Sequence, residues 1–80
     1  MNIFKARHNP NEVELIPVTR REIIQTSRGP VPVTPGKDII VREGLDVWVN
    51  TVEDCDRRYG DSLSDDDKEA LREYYPEAFK

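Results

Sequence analysis

Residues that carry much of protein chemistry are scarce in this chain. Its 80 residues include one cysteine, one histidine, one tryptophan and one methionine. A single cysteine, Cys55, excludes an internal disulfide. No apolar run approaches the roughly 20 residues that a membrane-spanning helix needs, and the opening MNIFKARHNP lacks the apolar stretch of a signal peptide. We therefore expect a cytoplasmic protein with no membrane partner.

An excess of positive charge is also missing. Lysine and arginine number 12 against 16 aspartates and glutamates, which gives a formal net charge of −4. The imbalance lies in the C-terminal third, since residues 53–80 carry five basic and ten acidic side chains, whereas residues 1–52 carry seven and six. Binding to a phosphate backbone draws its affinity from cationic side chains. The charge distribution therefore disfavours a nucleic-acid partner.

Short apolar clusters separated by turn residues run along most of the chain. Valine, isoleucine and leucine come in groups, which predicts one folded domain over residues 1–80 rather than disorder. Alternation and flanking turn residues predict strands. The predicted strands are Ile3–Arg7, Glu12–Pro17, Arg21–Thr26, Asp38–Arg42 and Asp46–Asn50. The last two are the clearest, and Gly44 lies in the hairpin loop between them. Val31–Val33 is predicted to be extended, but its flanking prolines place it at an edge or in a connection.

A short helix is predicted directly after the last strand. The sequence Thr51-Val52-Glu53-Asp54 is similar to a capping box, in which the threonine hydroxyl accepts from a backbone N–H three residues on. Val52, Cys55 and Tyr59 share one face of the resulting helix, which predicts that this face packs under the strands. Gly60 is expected to stop the helix.

A second helix is predicted at the C-terminal end. Ser64 is a favourable N-cap, and the three aspartates that follow it favour the positive end of the helix dipole. Leu71 with Tyr74 or Tyr75 supplies an apolar stripe. Pro76 disfavours helical geometry at Tyr75, so the helix should end or bend there. Ala78 and Phe79 are then expected to fold back onto the body.

These elements predict an α+β fold with a small, mostly antiparallel twisted sheet, a short helix after the last strand and a C-terminal helix. The two helices are expected to cover one face of the sheet. The predicted core consists of Phe4, Val13, Leu15, Val18, Ile23, Ile39, Val41, Val47, Trp48, Val49, Val52, Cys55, Tyr59 and Leu71.

Part of the chain resembles a class of short bacteriophage and prophage proteins. The residues that carry the resemblance are Thr26 with Gly29, Pro35–Val41, Val47–Val49 and Cys55 with Tyr59, all within Ile23–Tyr59. They are similar to the pattern T-x-x-G, PGDY(I/V)V, G-E-x-(Y/W)-x-V and F-x-x-x-Y-E. The chain departs from it at Lys37-Asp38, at Leu45-Asp46 and at Cys55, where the class has Asp-Tyr, Gly-Glu and Phe. The resemblance implies a phage or prophage origin and an accessory role.

No combination of residues predicts an active site, a metal site or a cofactor site. His8 lies in a polar turn with no neighbour to orient it as a general base, so we expect a surface histidine. Cys55 falls on the apolar face of the first helix, which favours a buried small side chain over a nucleophile. Asp65, Asp66 and Asp67 point in different directions and lack the spacing of a calcium loop.

Binding to another protein is the function that the sequence favours. The acidic C-terminal third would steer a basic partner, such as a host enzyme that handles nucleic acid or acts in defence. An ordinary solvated helix face is the alternative that stays open. Aromatic residues anchor interfaces, so two tyrosines join the predicted surface. The predicted partner-binding residues are Asp61, Asp65, Asp66, Asp67, Glu69, Glu73, Tyr74 and Tyr75.

Two further hypotheses remain. A small nucleic-acid-binding regulator would use a basic side of the sheet. Its candidate residues are Arg20, Arg21, Arg28, Lys37 and Arg42. Exposed strand edges, including the proline-flanked Val31–Val33, would also allow the chain to form a homo-oligomer by edge pairing.

Overall fold

A computed structural model describes residues 2–8 and 10–80, without the side chain of His8, so the prediction of a surface histidine lies outside the described residues. Six strands precede two α-helices in this part of the chain, which confirms the α+β class. The elements are β1 (Phe4–His8), β2 (Asn11–Pro17), β3 (Glu22–Thr26), β4 (Gly29–Val33), β5 (Asp38–Glu43), β6 (Asp46–Thr51), α1 (Val52–Tyr59), a 3₁₀ helix (Gly60–Ser62) and α2 (Asp65–Arg72).

Four of these strands form one antiparallel sheet in the order β1-β2-β5-β6. The β3–β4 hairpin forms a separate two-stranded sheet, so β2 pairs with β5 across the intervening hairpin. Glu43 pairs with Asp46 across the two-residue loop between β5 and β6. Gly44 has a φ of 60° there, which matches the positive φ that a tight hairpin turn requires.

The prolines of β4 are accommodated by their register. Thr26 pairs with Gly29 across a two-residue turn, so Pro30 and Pro32 fall opposite Gln25 and Ile23. Hydrogen-bonded and non-bonded pairs alternate in an antiparallel ladder, and both prolines lie at the non-bonded positions. Their missing N–H groups therefore interrupt no bond to β3, and β4 is a full strand rather than only an extended segment.

The core lies between one face of the four-stranded sheet and the C-terminal elements. Strand register places Leu15 beside Val41, and both side chains are fully buried. Val52, Cys55 and Tyr59 of α1 pack into the same cluster, as the helical spacing predicted. The chain that follows α1 adds five buried side chains. They are Leu63, Leu71, Tyr75, Ala78 and Phe79.

The predicted core is wrong at Ile23, which is 67 % exposed on the outer face of the hairpin. Val47, Trp48 and Val49 are only half-buried, because β6 is an edge strand. The prediction also missed several buried residues, three of them within predicted extended segments and four in the C-terminal region. These are Ala6, Ile16, Val33, Leu63, Tyr75, Ala78 and Phe79.

The first helix starts as predicted and ends by another route. The Thr51 hydroxyl accepts from the N–H of Asp54 at 3.3 Å. Gly60 does not reverse the chain with a positive φ; it has a φ of −55° and continues into the 3₁₀ helix. Its lack of a side chain matters for another reason, since a Cβ there would lie 2.5 Å from Oδ1 of Asp56.

The second helix ends at Arg72, before the predicted limit. The segment beyond it folds back onto the body, as predicted, and buries Phe79 completely. The Phe79 N–H donates to Oδ2 of Asp56 at 3.1 Å, and Nη1 of Arg72 donates to the Phe79 carbonyl at 2.6 Å. Phe79 has a φ of 59°, an uncommon conformation that these two contacts hold in place.

Candidate binding surfaces

The acidic residues around α2 form the first candidate surface. Ser64 caps this helix by accepting from the N–H of Asp67 at 3.1 Å, and Leu71 faces the core. Helical spacing puts Asp65, Glu69 and Glu73 on one face, away from Leu71. We call the following carboxylates the acidic surface: Asp61, Asp65, Asp66, Asp67, Glu69 and Glu73. All are exposed except Asp67, which is half-buried.

The carboxylates of the acidic surface form no ion pair with another residue in the described part of the chain. The ion pairs in that part involve other acidic side chains instead. The three aspartates in the first turn of α2 also interact favourably with the helix dipole. The surface therefore combines a structural role at the helix start with an excess of negative charge, since its six carboxylates outnumber Lys68 and Arg72 of the same helix.

A cleft of about 500 Å³ adjoins the acidic surface at Asp61. Glu53 of α1 and Glu77 of the C-terminal segment also line it, together with Asp56. Oδ2 of Asp56 already accepts from the Phe79 N–H, whereas Glu53 and Glu77 are exposed. Arg57 also lines the cleft and is paired with Asp54, and Glu77 lies 3.6 Å from Nζ of Lys80, so the acidic character of the cleft is partly balanced by basic side chains.

The two tyrosines predicted to anchor a partner have different positions. Tyr75 is 2 % exposed, and its hydroxyl accepts from the Val18 N–H at 3.0 Å and donates to the Asp38 carbonyl at 2.6 Å. Its assignment to a partner-binding surface is corrected, because the side chain is used inside the fold. Tyr74 is half-buried against the core, and its hydroxyl accepts from the side-chain amide of Asn2 at 3.0 Å.

The thiol of Cys55 is fully buried on the apolar face of α1. Burial, with a smaller contribution from the charge of Asp56, raises the pKa of Cys55 to about 12. The thiolate is the nucleophilic form, and it is scarcely populated at neutral pH in such an environment. Among the described residues, no group of three or more histidine, cysteine, aspartate or glutamate side chains is arranged to hold a metal ion.

Two of the five basic residues of the nucleic-acid hypothesis, Arg20 and Arg42, form ion pairs. Nε of Arg42 donates to Oε1 of Glu14 at 2.7 Å; this bond lowers the pKa of Glu14. Nε of Arg20 lies 3.3 Å from Oε2 of Glu22. Arg21 and Arg28 are exposed and form no ion pair with another described residue.

A groove of about 640 Å³ along the outer edge of β6 was not predicted from the sequence. The turn of the β3–β4 hairpin forms one wall, and β6 with Arg58 of α1 forms the other. Trp48 and Asn50 also line it, and Trp48 packs against the core cluster as well. Sequence patterns identify β6 as a strand, but they do not say that it lies at a sheet edge beside the hairpin.

Comparison of the chain with protein-family models, with curated proteins and with solved structures found no match. No helix in the described part of the chain has the length and apolar character that crossing a membrane requires.

Proposed function

We propose that this chain is a non-enzymatic accessory protein that binds another protein through its acidic surface. The observation that carries the proposal is the set of carboxylates on α2, shortly before it and directly after it, which have no ion-pair partner within the described residues. The resemblance to small phage and prophage proteins supports an accessory role, with a host protein as the partner.

The charge of the surface supports a basic partner. A concentrated negative field accelerates encounter with a positively charged surface and discriminates against acidic ones. Enzymes that handle nucleic acid carry such basic surfaces, so a host enzyme of this kind, including one that acts in defence, is the proposed target. Binding would occupy the surface that otherwise contacts phosphates, which makes inhibition the expected effect.

Capture from a host lysate tests the proposal when matched variants are compared. One variant, Asp65→Asn with Glu69→Gln and Glu73→Gln, removes the charges from one face of α2. A control variant, Glu12→Gln with Glu22→Gln and Glu43→Gln, removes the same charge from the first part of the chain. We expect the unsubstituted protein and the control to retain a host protein that the α2 variant loses.

The salt concentration that elutes the captured material, and whether that material is protein or nucleic acid, provide the second criterion. Attraction between exposed charges weakens as the Debye length falls, so the captured protein should elute as salt rises. Equal capture by the α2 variant and the unsubstituted protein would contradict the proposal. Recovery of nucleic acid without protein would also do so.

The alternative is a small nucleic-acid-binding regulator, supported by Arg21 and Arg28, which are exposed and have no ion pair with any residue that the structure describes. A gel shift with duplex and single-stranded DNA distinguishes the two functions. The alternative predicts binding that weakens steeply with salt and with Arg21→Glu and Arg28→Glu together. Our proposal predicts no shift.

A further inference from the structure

The outer edge of β6 carries backbone groups that the sheet does not use. Glu43 and Asp46 flank the two-residue loop and form a hydrogen-bonded pair, and bonded pairs then alternate along β5 and β6. Val47 and Val49 fall between these pairs, so their N–H and C=O groups point away from β5. An edge of this kind is a template for a further strand.

The β3–β4 hairpin uses only the first part of this edge. The N–H of Ser27 donates to the Val47 carbonyl at 2.9 Å, and the Val47 N–H donates to Oγ of Ser27 at 3.0 Å. Beyond this point no described residue of the hairpin bonds to Val49. The hairpin and β6 enclose the groove of about 640 Å³ instead. Its volume is within the range of pockets that bind ligands.

The charged side chains around the groove are mainly basic, with Arg28 and Arg58 against one carboxylate. Arg28 and Arg58 are exposed, and neither forms an ion pair with another described residue. The side-chain nitrogen of Asn50 is buried and lacks a hydrogen-bond partner among the described residues. The single carboxylate of the lining, Asp46, accepts from the hydroxyl of Ser27 at 3.4 Å. The groove therefore complements a ligand rich in acceptors and negative charge.

We propose that the β6 groove binds an extended acidic peptide segment of a partner protein by strand addition. The peptide backbone continues the ladder at Val49, where the hairpin leaves it. Successive side chains of a strand point to opposite faces, so two adjacent acidic residues reach toward Arg28 and Arg58. This mode combines backbone hydrogen bonds for affinity with charge contacts for selectivity.

A strand fits this site better than the other occupants. The outward groups of Val49 are one donor and one acceptor, which a peptide backbone matches and a phosphate backbone does not. A second copy of the chain offers only Asp46 as a carboxylate in the same strand, already bonded to Ser27.

Titration with a defined peptide tests the proposal. The probe is acetyl-Thr-Val-Glu-Glu-Val-Thr-amide, and the matched control probe has two glutamines in place of the glutamates. Trp48, the only tryptophan, lies in the groove and reports binding by fluorescence, while the amide resonance of Val49 reports on the edge. We expect saturable changes in both signals with the glutamate peptide, and affinity about tenfold weaker for the glutamine peptide.

Substitutions of groove residues test whether the changes in fluorescence and in the Val49 resonance arise from binding in the groove. Arg58→Glu and Arg28→Glu should each lower the affinity for the glutamate peptide about tenfold. Arg21 is exposed and lies outside the groove, so Arg21→Glu should leave this affinity unchanged. Equal affinity for both peptides, an unshifted Val49 amide, or displacement by single-stranded DNA would overturn the proposal. A Val49 shift that depends on protein concentration without peptide would do the same, since it assigns the edge to a second copy.

The groove and the acidic surface carry opposite charge. Different substitutions test the two sites. Loss of peptide binding in Arg58→Glu leaves the α2 carboxylates unchanged, and the α2 variant leaves the groove unchanged. Failure of either proposal can therefore be recognised independently of the other.

Discussion

At the scale of single residues, Tyr75 connects parts of the chain that are far apart in sequence. Its hydroxyl bridges the backbone at Val18, after β2, and at Asp38, which starts β5. Burial is the main reason that the pKa of Tyr75 rises to about 12, although the bond from Val18 opposes the rise. The hydroxyl therefore stays neutral and satisfies two backbone groups that would otherwise be unpaired.

Removing this hydroxyl should destabilise the fold. Tyr75→Phe leaves a buried N–H and a carbonyl without their partner, which costs about 1–3 kcal/mol in the free energy of unfolding. Urea denaturation followed by circular dichroism measures the change. Tyr74→Phe is the matched control, because it removes only an exposed bond to Asn2 and should change stability by less. Equal losses in the two variants would contradict the role assigned to Tyr75.

The protein should also lose stability in alkaline solution. Burial raises the pKa of Cys55 from 9.0 to about 12, so the folded state favours the protonated thiol. Stability from such a group is complete below the unfolded pKa and is lost as pH rises toward the folded one. We expect the free energy of unfolding to fall between pH 9.0 and about 12. Urea titrations across this interval measure it.

Cys55→Ala isolates the contribution of the thiol to this pH dependence. The variant removes the titrating group, so its stability should decline less steeply with pH even if its stability at neutral pH is lower. A decline parallel to that of the unsubstituted protein would show that Cys55 does not contribute.

At the scale of elements, the C-terminal segment after α2 contributes more to the core than the edge strand β6 does. Phe79 is fully buried and held by Asp56 and Arg72, whereas Trp48 is half-buried beside the groove. An edge strand has a neighbour on one side only, so even a large aromatic side chain there retains contact with solvent. The segment after α2 is thus an integral part of the folded core.

Substituting these two aromatic residues by alanine should therefore reduce stability by different amounts. Phe79→Ala removes a fully buried ring and should destabilise the protein by about 3–5 kcal/mol, while Trp48→Ala should cost less. Denaturation followed by circular dichroism compares the two variants without relying on tryptophan fluorescence. If Phe79→Ala does not fold, Phe79→Leu gives a smaller loss that can still be measured. A larger loss in Trp48→Ala would reverse the ranking.

At the scale of the whole molecule, the β3–β4 hairpin is the least integrated part. The main core cluster takes residues from β1, β2, β5, α1 and the C-terminal region but none from the hairpin. Ser27 joins the hairpin to β6, and Val33 is its buried side chain. Local stability is therefore expected to vary across the molecule, and the hairpin should open at a lower free energy than the four-stranded sheet.

Hydrogen exchange should detect this difference. Amides of Ile24 and Val31, which pair within the hairpin, should exchange by local opening and respond little to added urea. Amides of Leu15 and Val41, in the inner strands, should exchange only through global unfolding and accelerate as urea is added. Uniform protection in both groups would indicate that the hairpin unfolds only with the rest of the chain.

The sequence by itself determined the local elements. Alternating apolar residues specified β5 and β6, Gly44 specified the tight loop between them, and Thr51 and Ser64 specified the starts of the helices. These signals depend on residues a few positions apart, through backbone dihedral preferences and capping bonds. They were enough to predict the α+β class and the exposed carboxylates of α2.

Only the tertiary structure decided which strand lies at an edge and which side chains are covered. The pairing of β2 with β5, the burial of Tyr75 and the groove beside β6 all join distant segments; the bond from Val18 to Tyr75 alone spans 57 residues. Such contacts depend on how whole surfaces fit together, and local propensity carries no information about that fit. For this reason α2 could be predicted from the sequence as a candidate surface, whereas the β6 groove could not.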